Sequence, residues 1–167
     1  GPAGPGAGGW AGQDGGRGPR RAAARWVRGA ARRAGSDPLP GPANRREFER
    51  ALARFQDAAA AGGVAALVYV DLDHFKWIND SMGHLVGDTV LRQLGDLLRR
   101  EVRSVDSVAR YGGEEFVIVL PETGAHGALV FAERMRARIQ TFPFGEPDTP
   151  VRATVSDMGP LLLARML

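Results

Sequence analysis

The apolar pattern in the first half of the folded region predicts a helix, a buried strand and a short second helix. The first helix is expected to begin after Asn44, because asparagine is a favoured N-cap residue. Three apolar side chains then recur along one face: Phe48, Leu52 and Phe55. Residues 64–70, VAALVYV, form a continuous apolar run that is typical of a buried strand. A short helix is predicted at 74–81, with its end near Gly83.

The second half predicts an amphipathic helix, a hairpin, another helix and a last strand. The first helix is expected after Gly87, with one apolar face: Val90, Leu91, Leu94, Leu97 and Leu98. Two short strands at 107–111 and 115–120 flank a double glycine. The next apolar face comprises Ala128, Phe131, Ala132, Met135 and Ile139, and a last strand is expected at 151–156. This alternation predicts an α/β or α+β fold with helices covering a sheet.

The first 46 residues differ in composition from the rest. They contain nine arginines and two aspartates, a charge of +7, whereas residues 47–167 carry −4. We therefore interpret residues 1–36 as a basic disordered or linker segment rich in Gly, Ala and Arg, with a short helix expected at 21–34. Binding of nucleic acid or anionic lipid by this arm is a less favoured alternative, since its only aromatic residues are Trp10 and Trp26.

Composition also excludes some kinds of site. The chain has no cysteine, so disulfides and thiolate metal sites are impossible. No apolar run approaches the roughly 18 residues that a membrane-spanning helix needs. Together these features predict a cytoplasmic chain with no membrane segment.

Four carboxylates are placed at the ends of two predicted strands. Asp71 and Asp73 follow the apolar strand, and Glu114 and Glu115 follow the double glycine. If the two strands are neighbours, both pairs of carboxylates lie close together. Clustered carboxylates repel each other unless a cation lies between them. Hard oxygen ligands suit Mg²⁺ or Mn²⁺, and two ions about 3.5–4 Å apart assist phosphoryl transfer. Taken singly, each motif is also explained by an ordinary loop start or turn.

The two central motifs resemble those of one known family. DLDHFKWINDSMGHLVGD at 71–88 and RYGGEEF at 110–116 are similar to the signatures of GGDEF-domain diguanylate cyclases, whose motif is GG(D/E)EF. DPLPGPANRR at 37–46 is similar to the family opening DxLTGLPNRR, with Pro, Pro and Ala in place of Thr, Leu and Pro. The resemblance covers residues 37–156, which we predict to form one GGDEF domain.

The resemblance implies a fold and an activity. The fold would be a sandwich related to nucleotidyl cyclases and the polymerase palm, with a central, mostly antiparallel sheet flanked by helices. The activity would be condensation of two GTP molecules into cyclic di-GMP with release of pyrophosphate. Each domain would hold one GTP, so a homodimer would be required.

The resemblance also implies metal ligands. Asp71 and the carbonyl oxygen of Leu72 would bind Mg²⁺ or Mn²⁺. Glu114 would be a ligand and would activate the 3′-hydroxyl, and Glu115 would assist with the second ion.

Nucleotide-binding residues follow in the same way. Asn79 and Asp88 would hydrogen-bond the guanine edge, and His84 would line that site. Their amide and carboxylate groups match the O6 acceptor and the N1 and N2 donors of guanine. Lys76 would stabilise charge on the phosphates. Two glycines would let the nucleotide lie against the hairpin: Gly112 and Gly113.

A further family feature precedes the hairpin. Arg103 and Asp106 match the RxxD pattern of the family's inhibitory site, where product binds as a feedback brake. The planar fork of arginine suits guanine N7 and O6. Without the family context, this pattern is usually a solvated ion pair.

The end of the sequence departs from the family pattern. TVS at 154–156 is followed by DMGPLLLARML, and the family's closing helix, with its phosphate-binding lysine and arginine, is absent. Residues 157–167 are therefore interpreted as an atypical tail after an incomplete domain, and we expect weak activity or none. A catalytically impaired module that senses GTP or cyclic di-GMP is the alternative function.

Overall fold

The computed structural model describes residues 42–110, 112–156 and 158–165. The linker predicted at 1–36, its helix at 21–34, and Tyr111 of the RYGGEEF motif lie outside the described residues. The described part contains helices and strands in the order α1 Pro42–Ala60, β1 Val64–Asp71, α2 Phe75–Met82, α3 His84–Glu101, β2 Ser107–Arg110, β3 Glu115–Pro121, α4 Ala125–Thr141, β4 Phe144–Glu146, β5 Thr149–Val151 and β6 Met158–Arg165. None of these helices is both long and apolar enough to cross a membrane.

Four strands form the main sheet in the order β2-β3-β1-β6, and every neighbouring pair is antiparallel. A separate two-stranded sheet joins β4 to β5. β1 is central, because the apolar run that forms it can be buried on both faces. The predicted mixed α/β architecture with a mostly antiparallel sheet is confirmed.

The two faces of the sheet are covered by different helices. Alternate β1 residues Ala66, Val68 and Val70 belong to the main core with the apolar faces of α3 and α4. The opposite face is packed by α1 through buried Leu52 and Phe55. Phe55 and Leu52 were predicted on that helix face, and the apolar faces of α3 and α4 are likewise buried as predicted.

Two helices begin earlier than the sequence pattern indicated. α1 begins at Pro42 and not after Asn44, since proline is well suited to the first helical position. α3 begins at His84 and includes Gly87, which is buried. The sequence pattern predicts a helix boundary at Gly87. In the structure, Gly87 is inside the helix, and the absence of a side chain leaves room for the Asn79 amide.

The strand predicted at 151–156 is wrong. β5 ends at Val151, and residues 152–155 lie outside any regular strand. This segment bonds instead to the end of β1: the Asp73 N–H donates to the Thr154 carbonyl (2.9 Å), and the hydroxyls of Thr154 and Ser156 donate to the Asp73 carboxylate. These hydrogen bonds with Asp73 take the place of the backbone hydrogen bonds that a strand would make with its neighbour.

The sequence pattern missed β6. This strand lies within the segment that was set apart as a tail, and it pairs with β1 from Val64↔Arg165 to Val70↔Met158. A glycine and a proline weaken its strand pattern. Pro160 is tolerated because β6 is an edge strand and its register shifts opposite Leu67 and Val68.

Candidate metal and nucleotide site

The candidate site is built where β1 ends and β3 begins. Antiparallel pairing puts Asp71 directly opposite Glu115. The register continues for one more bond, because the Leu72 N–H donates to the Glu114 carbonyl at 3.3 Å. Three of the four predicted carboxylates, those of Asp71, Glu114 and Glu115, therefore belong to one sheet edge, and the Leu72 backbone lies beside them.

The fourth carboxylate has another role. Asp73 accepts hydrogen bonds from the hydroxyls of Thr154 (2.7 Å) and Ser156 (2.6 Å). Burial alone would raise the pKa of Asp73, but these bonds prevail and hold it below its usual range. The predicted convergence of both carboxylate pairs is therefore wrong for Asp73, which anchors residues 154–156 to the end of β1.

Tyr69 is a site residue that the sequence reasoning missed. Its hydroxyl donates to Glu115 Oε1 and lies 3.2 Å from Asp71 Oδ2. Burial, then the hydrogen bond to Glu115 and the charges of Glu115 and Asp71, hold the pKa of the phenol well above its usual range. The available signal was spacing, because residues two apart on a strand share a face.

The donor chemistry of this edge fits a hard divalent cation. Burial, followed by the charge of Glu115, raises the pKa of Glu114, as expected for adjacent carboxylates without a counter-charge. Among the described residues, however, no three acidic or histidine side chains are grouped closely enough to hold a metal ion as they stand. Asp71 and Glu115 already converge on one hydroxyl, and oxygen donors of this kind suit Mg²⁺ or Mn²⁺.

The double-glycine turn is closely packed against the Glu115 carboxylate. The Gly112 N–H donates to the Glu115 carbonyl at 3.3 Å, and a Cβ on Gly112 would overlap Glu115 Oε2. Among the described residues, a Cβ on Gly113 would meet nothing within 4 Å. Only glycine at 112 therefore allows the observed position of the Glu115 carboxylate, while Gly113 leaves the outer surface of the turn open.

Arg110 braces the same turn from β2. Its guanidinium donates to the carbonyls of Gly112 (3.1 Å) and Gly113 (2.6 Å). Burial lowers the pKa of Arg110, and the nearby charge of Asp88 opposes that shift. Arg110 thus contacts the double-glycine turn and lies near Asp88, at the N-terminal end of α3.

The predicted guanine-reading residues lie on α2 and the first turn of α3. The Asn79 amide packs directly against Gly87, where a Cβ would overlap Asn79 Oδ1. The next residue is Asp88, which is exposed. Lys76 is exposed near the start of α2, and His84 is the exposed first residue of α3. The fold thus brings Asn79 close to the backbone preceding Asp88.

The Arg103–Asp106 pair forms a separate feature before β2. The guanidinium donates to both oxygens of Asp106, with a shortest distance of 2.9 Å, and the backbone N–H of Arg103 donates to Asp106 at 2.8 Å. The Asp106 side chain is only 2% exposed, whereas that of Arg103 is 55% exposed. Arg103 also donates to the Pro121 carbonyl and the Thr123 hydroxyl. The Asp106 carboxylate is therefore buried and holds the Arg103 guanidinium in place, while the Arg103 side chain faces solvent.

A cavity of about 390 Å³ lies between the start of α2 and residues 152–154, with Trp77 on its wall. None of the predicted ligands Asp71, Glu114 and Glu115 lines it. The three carboxylates are partly buried and do not form the floor of this cavity.

Comparisons with known proteins show the family to which the chain belongs. Residues 34–156 match the family model described as diguanylate cyclase, GGDEF domain. Diguanylate cyclase DgcP from Pseudomonas aeruginosa is 42% identical over 124 residues, which is 72% of this chain and 18% of that protein. The first three curated relatives are matched over only 18% to 30% of their own lengths.

Solved structures give the same result. The GGDEF domain of YfiN (TpbB) from Pseudomonas aeruginosa matches with a TM-score of 0.59 and 34% identity, covering 71% of this chain and 73% of that one. The GGDEF domain of DgcB from Caulobacter crescentus, solved in complex with cyclic di-GMP, matches with a TM-score of 0.58 and 30% identity, covering 65% of each chain. The chain belongs to the GGDEF-domain family of diguanylate cyclases.

Proposed function

We propose that this chain condenses two GTP molecules into cyclic di-GMP and releases pyrophosphate. The observation that carries the proposal is the carboxylate edge, where Asp71 opposes Glu115 in register and Glu114 is adjacent. The turn formed by Gly112 and Gly113 lies beside this edge, and its Gly113 is exposed to solvent. Family membership supplies the reaction class, and the edge supplies the groups that the reaction needs.

Asp71, the Leu72 carbonyl, Glu114 and Glu115 would hold Mg²⁺ or Mn²⁺. The bound ions would neutralise charge on the phosphates and lower the pKa of the attacking hydroxyl. Glu114 would accept the 3′-hydroxyl proton on a carboxylate oxygen as that hydroxyl attacks the α-phosphate of a second GTP. Lys76, exposed near the start of α2, would add positive charge on the phosphate side.

Guanine would be recognised by Asn79 and Asp88, with His84 lining the site. The carboxylate of Asp88 matches the N1 and N2 donors, and the Asn79 amide can both donate and accept. Packing of Asn79 on Gly87 supports this role, because it restricts the orientation of the amide. Adenine presents mismatched groups, which would stay unpaired in such a site.

The product requires two chains. Each phosphodiester of cyclic di-GMP joins the 3′-oxygen of one nucleotide to the α-phosphate of the other. One GTP per domain means that two sites must face each other, so the active form would be a homodimer.

Arg103, oriented by Asp106, would bind cyclic di-GMP as a feedback brake. The 55% exposed guanidinium is held by a buried carboxylate, so it is presented with its orientation already restricted. Calorimetry on Arg103→Ala should show that product binding is lost while GTP binding is kept. Unchanged product affinity in this variant would contradict the assignment.

The proposed activity is tested by incubating the purified chain with GTP and Mg²⁺ and measuring products by mass. Cyclic di-GMP and pyrophosphate should form at a low rate, because residues 157–167 do not match the family's closing helix, and Asp71→Asn should abolish both while the circular dichroism spectrum is kept. Equal turnover by Asp71→Asn would overturn the metal assignment. Binding of GTP or cyclic di-GMP with no product formed would overturn catalysis and favour the alternative of a sensing module.

A further inference from the structure

Tyr69 contacts two of the proposed metal ligands through one atom. Its hydroxyl donates to Glu115 Oε1 and lies 3.2 Å from Asp71 Oδ2. The three residues share one face of the sheet, because Tyr69 and Asp71 are two apart on β1 and Asp71 opposes Glu115 on β3. This diagonal arrangement is within reach of an aromatic side chain.

Tyr69 lies on an inner strand of the sheet, between β3 and β6. Its β6 partner is Gly159 and its β3 partner is Val117, which is fully buried. The ring is itself partly buried and hydrogen-bonded at its tip. A hydroxyl placed by a central strand is a more rigid support than one carried by a loop.

The Glu115 carboxylate is held from two sides. Oε1 accepts from Tyr69, while Oε2 lies against Gly112 where no Cβ intervenes. Removing the Tyr69 hydroxyl would remove the hydrogen bond to Oε1. The Glu115 side chain could then adopt other rotamers, because an unrestrained glutamate side chain has several. Asp71 would lose the same neighbour.

From this geometry we propose that Tyr69 is a positioning residue for the metal site, which aligns the Asp71 and Glu115 carboxylates for a divalent cation. The proposal rests on the proposed function only in assigning these two residues as ligands. Groups that orient metal ligands through hydrogen bonds typically change metal affinity by about 10–100-fold when removed.

The experiment is titration of Mn²⁺, followed by electron paramagnetic resonance, into the purified chain with 3′-deoxy-GTP present. That nucleotide lacks the attacking hydroxyl, so no turnover occurs. Tyr69→Phe, which keeps the ring, should bind Mn²⁺ about tenfold more weakly than the native chain. Ser156→Ala, which removes a hydroxyl bonded to Asp73, should bind Mn²⁺ as the native chain does.

A double-mutant cycle separates positioning from a general effect on the fold. The loss caused by Tyr69→Phe should be smaller when Glu115→Ala is already present, because alanine has no acceptor for the Tyr69 hydroxyl and the shared contact is gone. Equal Mn²⁺ affinity of Tyr69→Phe and the native chain, with cyclic di-GMP still made by the native chain, would overturn the Tyr69 role alone. No Mn²⁺ binding by the native chain would overturn the proposed metal site and this role together.

Discussion

At the scale of single residues, the candidate site depends on hydroxyl groups and on glycines that leave space. Tyr69 bridges Asp71 and Glu115, and Gly112 leaves room for the Glu115 carboxylate. Ser156 performs a comparable task at Asp73, where it holds the chain after β5. Small changes at these positions should therefore have effects that can be assigned to one contact.

Ser156→Ala should destabilise the fold in a pH-dependent manner. The pKa of Asp73 is lowered in the folded state, so its contribution to stability is present above the unfolded pKa and is lost as the pH falls through the folded pKa. At neutral pH the loss should be about 1 kcal/mol, because the hydrogen bond is charge-assisted but partly exposed. Urea unfolding from neutral pH to below pH ~3 measures the difference.

That difference should shrink as the acid limit is approached, since protonated Asp73 accepts a weaker hydrogen bond. A difference between Ser156→Ala and the native chain that stays constant over this pH range would contradict the role given to the Asp73 carboxylate.

Gly112→Ala should weaken metal binding without unfolding the chain. A Cβ there would overlap Glu115 Oε2, so the carboxylate must move away from its position beside Tyr69. We expect Mn²⁺ affinity to fall by about tenfold or more, as for other changes that misplace a ligand. Titration of Mn²⁺ by electron paramagnetic resonance measures it.

The neighbouring glycine provides the control. In the part of the chain that the structure describes, a Cβ on Gly113 meets nothing within 4 Å, so Gly113→Ala should leave Mn²⁺ affinity unchanged. Equal losses in both variants would show that the turn as a whole, and not the Glu115 contact, determines metal affinity.

At the scale of elements, most helices and strands were predictable because their apolar periods are regular. The buried faces of α3 and α4 and the strand β1 agree with the sequence pattern. The start of α3 was misjudged at Gly87, since a glycine inside a helix pattern resembles a boundary. Periodicity gives no information on a neighbouring amide that needs that space.

The C-terminal strands were less predictable. β6 contains Gly159 and Pro160, which weaken a strand pattern, and its formation depends on pairing with the edge of β1. The segment 152–155 has the composition of a strand but bonds to Asp73. For the site, motif resemblance identified the three edge carboxylates, whereas Tyr69 required knowledge of the register between β1 and β3.

Gly87→Ala should impair recognition of guanine. The added Cβ would overlap Asn79 Oδ1, so the amide must leave its position against Gly87. If a guanine hydrogen bond is lost, GTP binding should weaken by about 1–3 kcal/mol, with less effect on ATP. Calorimetry with both nucleotides measures the change.

Gly95→Ala on the same helix is the matched control. Its Cβ would make close contact with the ring of Phe116, away from Asn79, and should leave GTP affinity unchanged. Similar weakening in both variants would attribute the effect to α3 as a whole and would contradict the proposed function of Gly87 as the support of Asn79.

At the scale of the whole molecule, one chain presents one carboxylate edge, where its two inner strands β1 and β3 meet. A two-fold symmetric product made from two GTP molecules requires a second such edge. The proposed activity is therefore a property of two chains and not of one.

The specific activity should accordingly rise with chain concentration and then reach a plateau. Dilution separates the two chains and leaves each GTP without a partner, so product formed per chain falls. The measurement is cyclic di-GMP formation at saturating GTP over a series of chain concentrations. A specific activity that is independent of concentration, in a chain that sedimentation shows to be monomeric, would contradict the dimer requirement.

The most direct test of the proposed catalytic centre is the location of the bound metal ion. A crystal of this chain grown with Mn²⁺ and 3′-deoxy-GTP, measured at a wavelength where manganese scatters anomalously, gives the ion position independently of any model. We predict an anomalous peak next to the carboxylate oxygens of Asp71, Glu114 or Glu115, with the phosphates of the nucleotide on its other side. A nucleotide bound elsewhere, or a peak remote from these carboxylates, would contradict the proposal that this sheet edge is the catalytic centre.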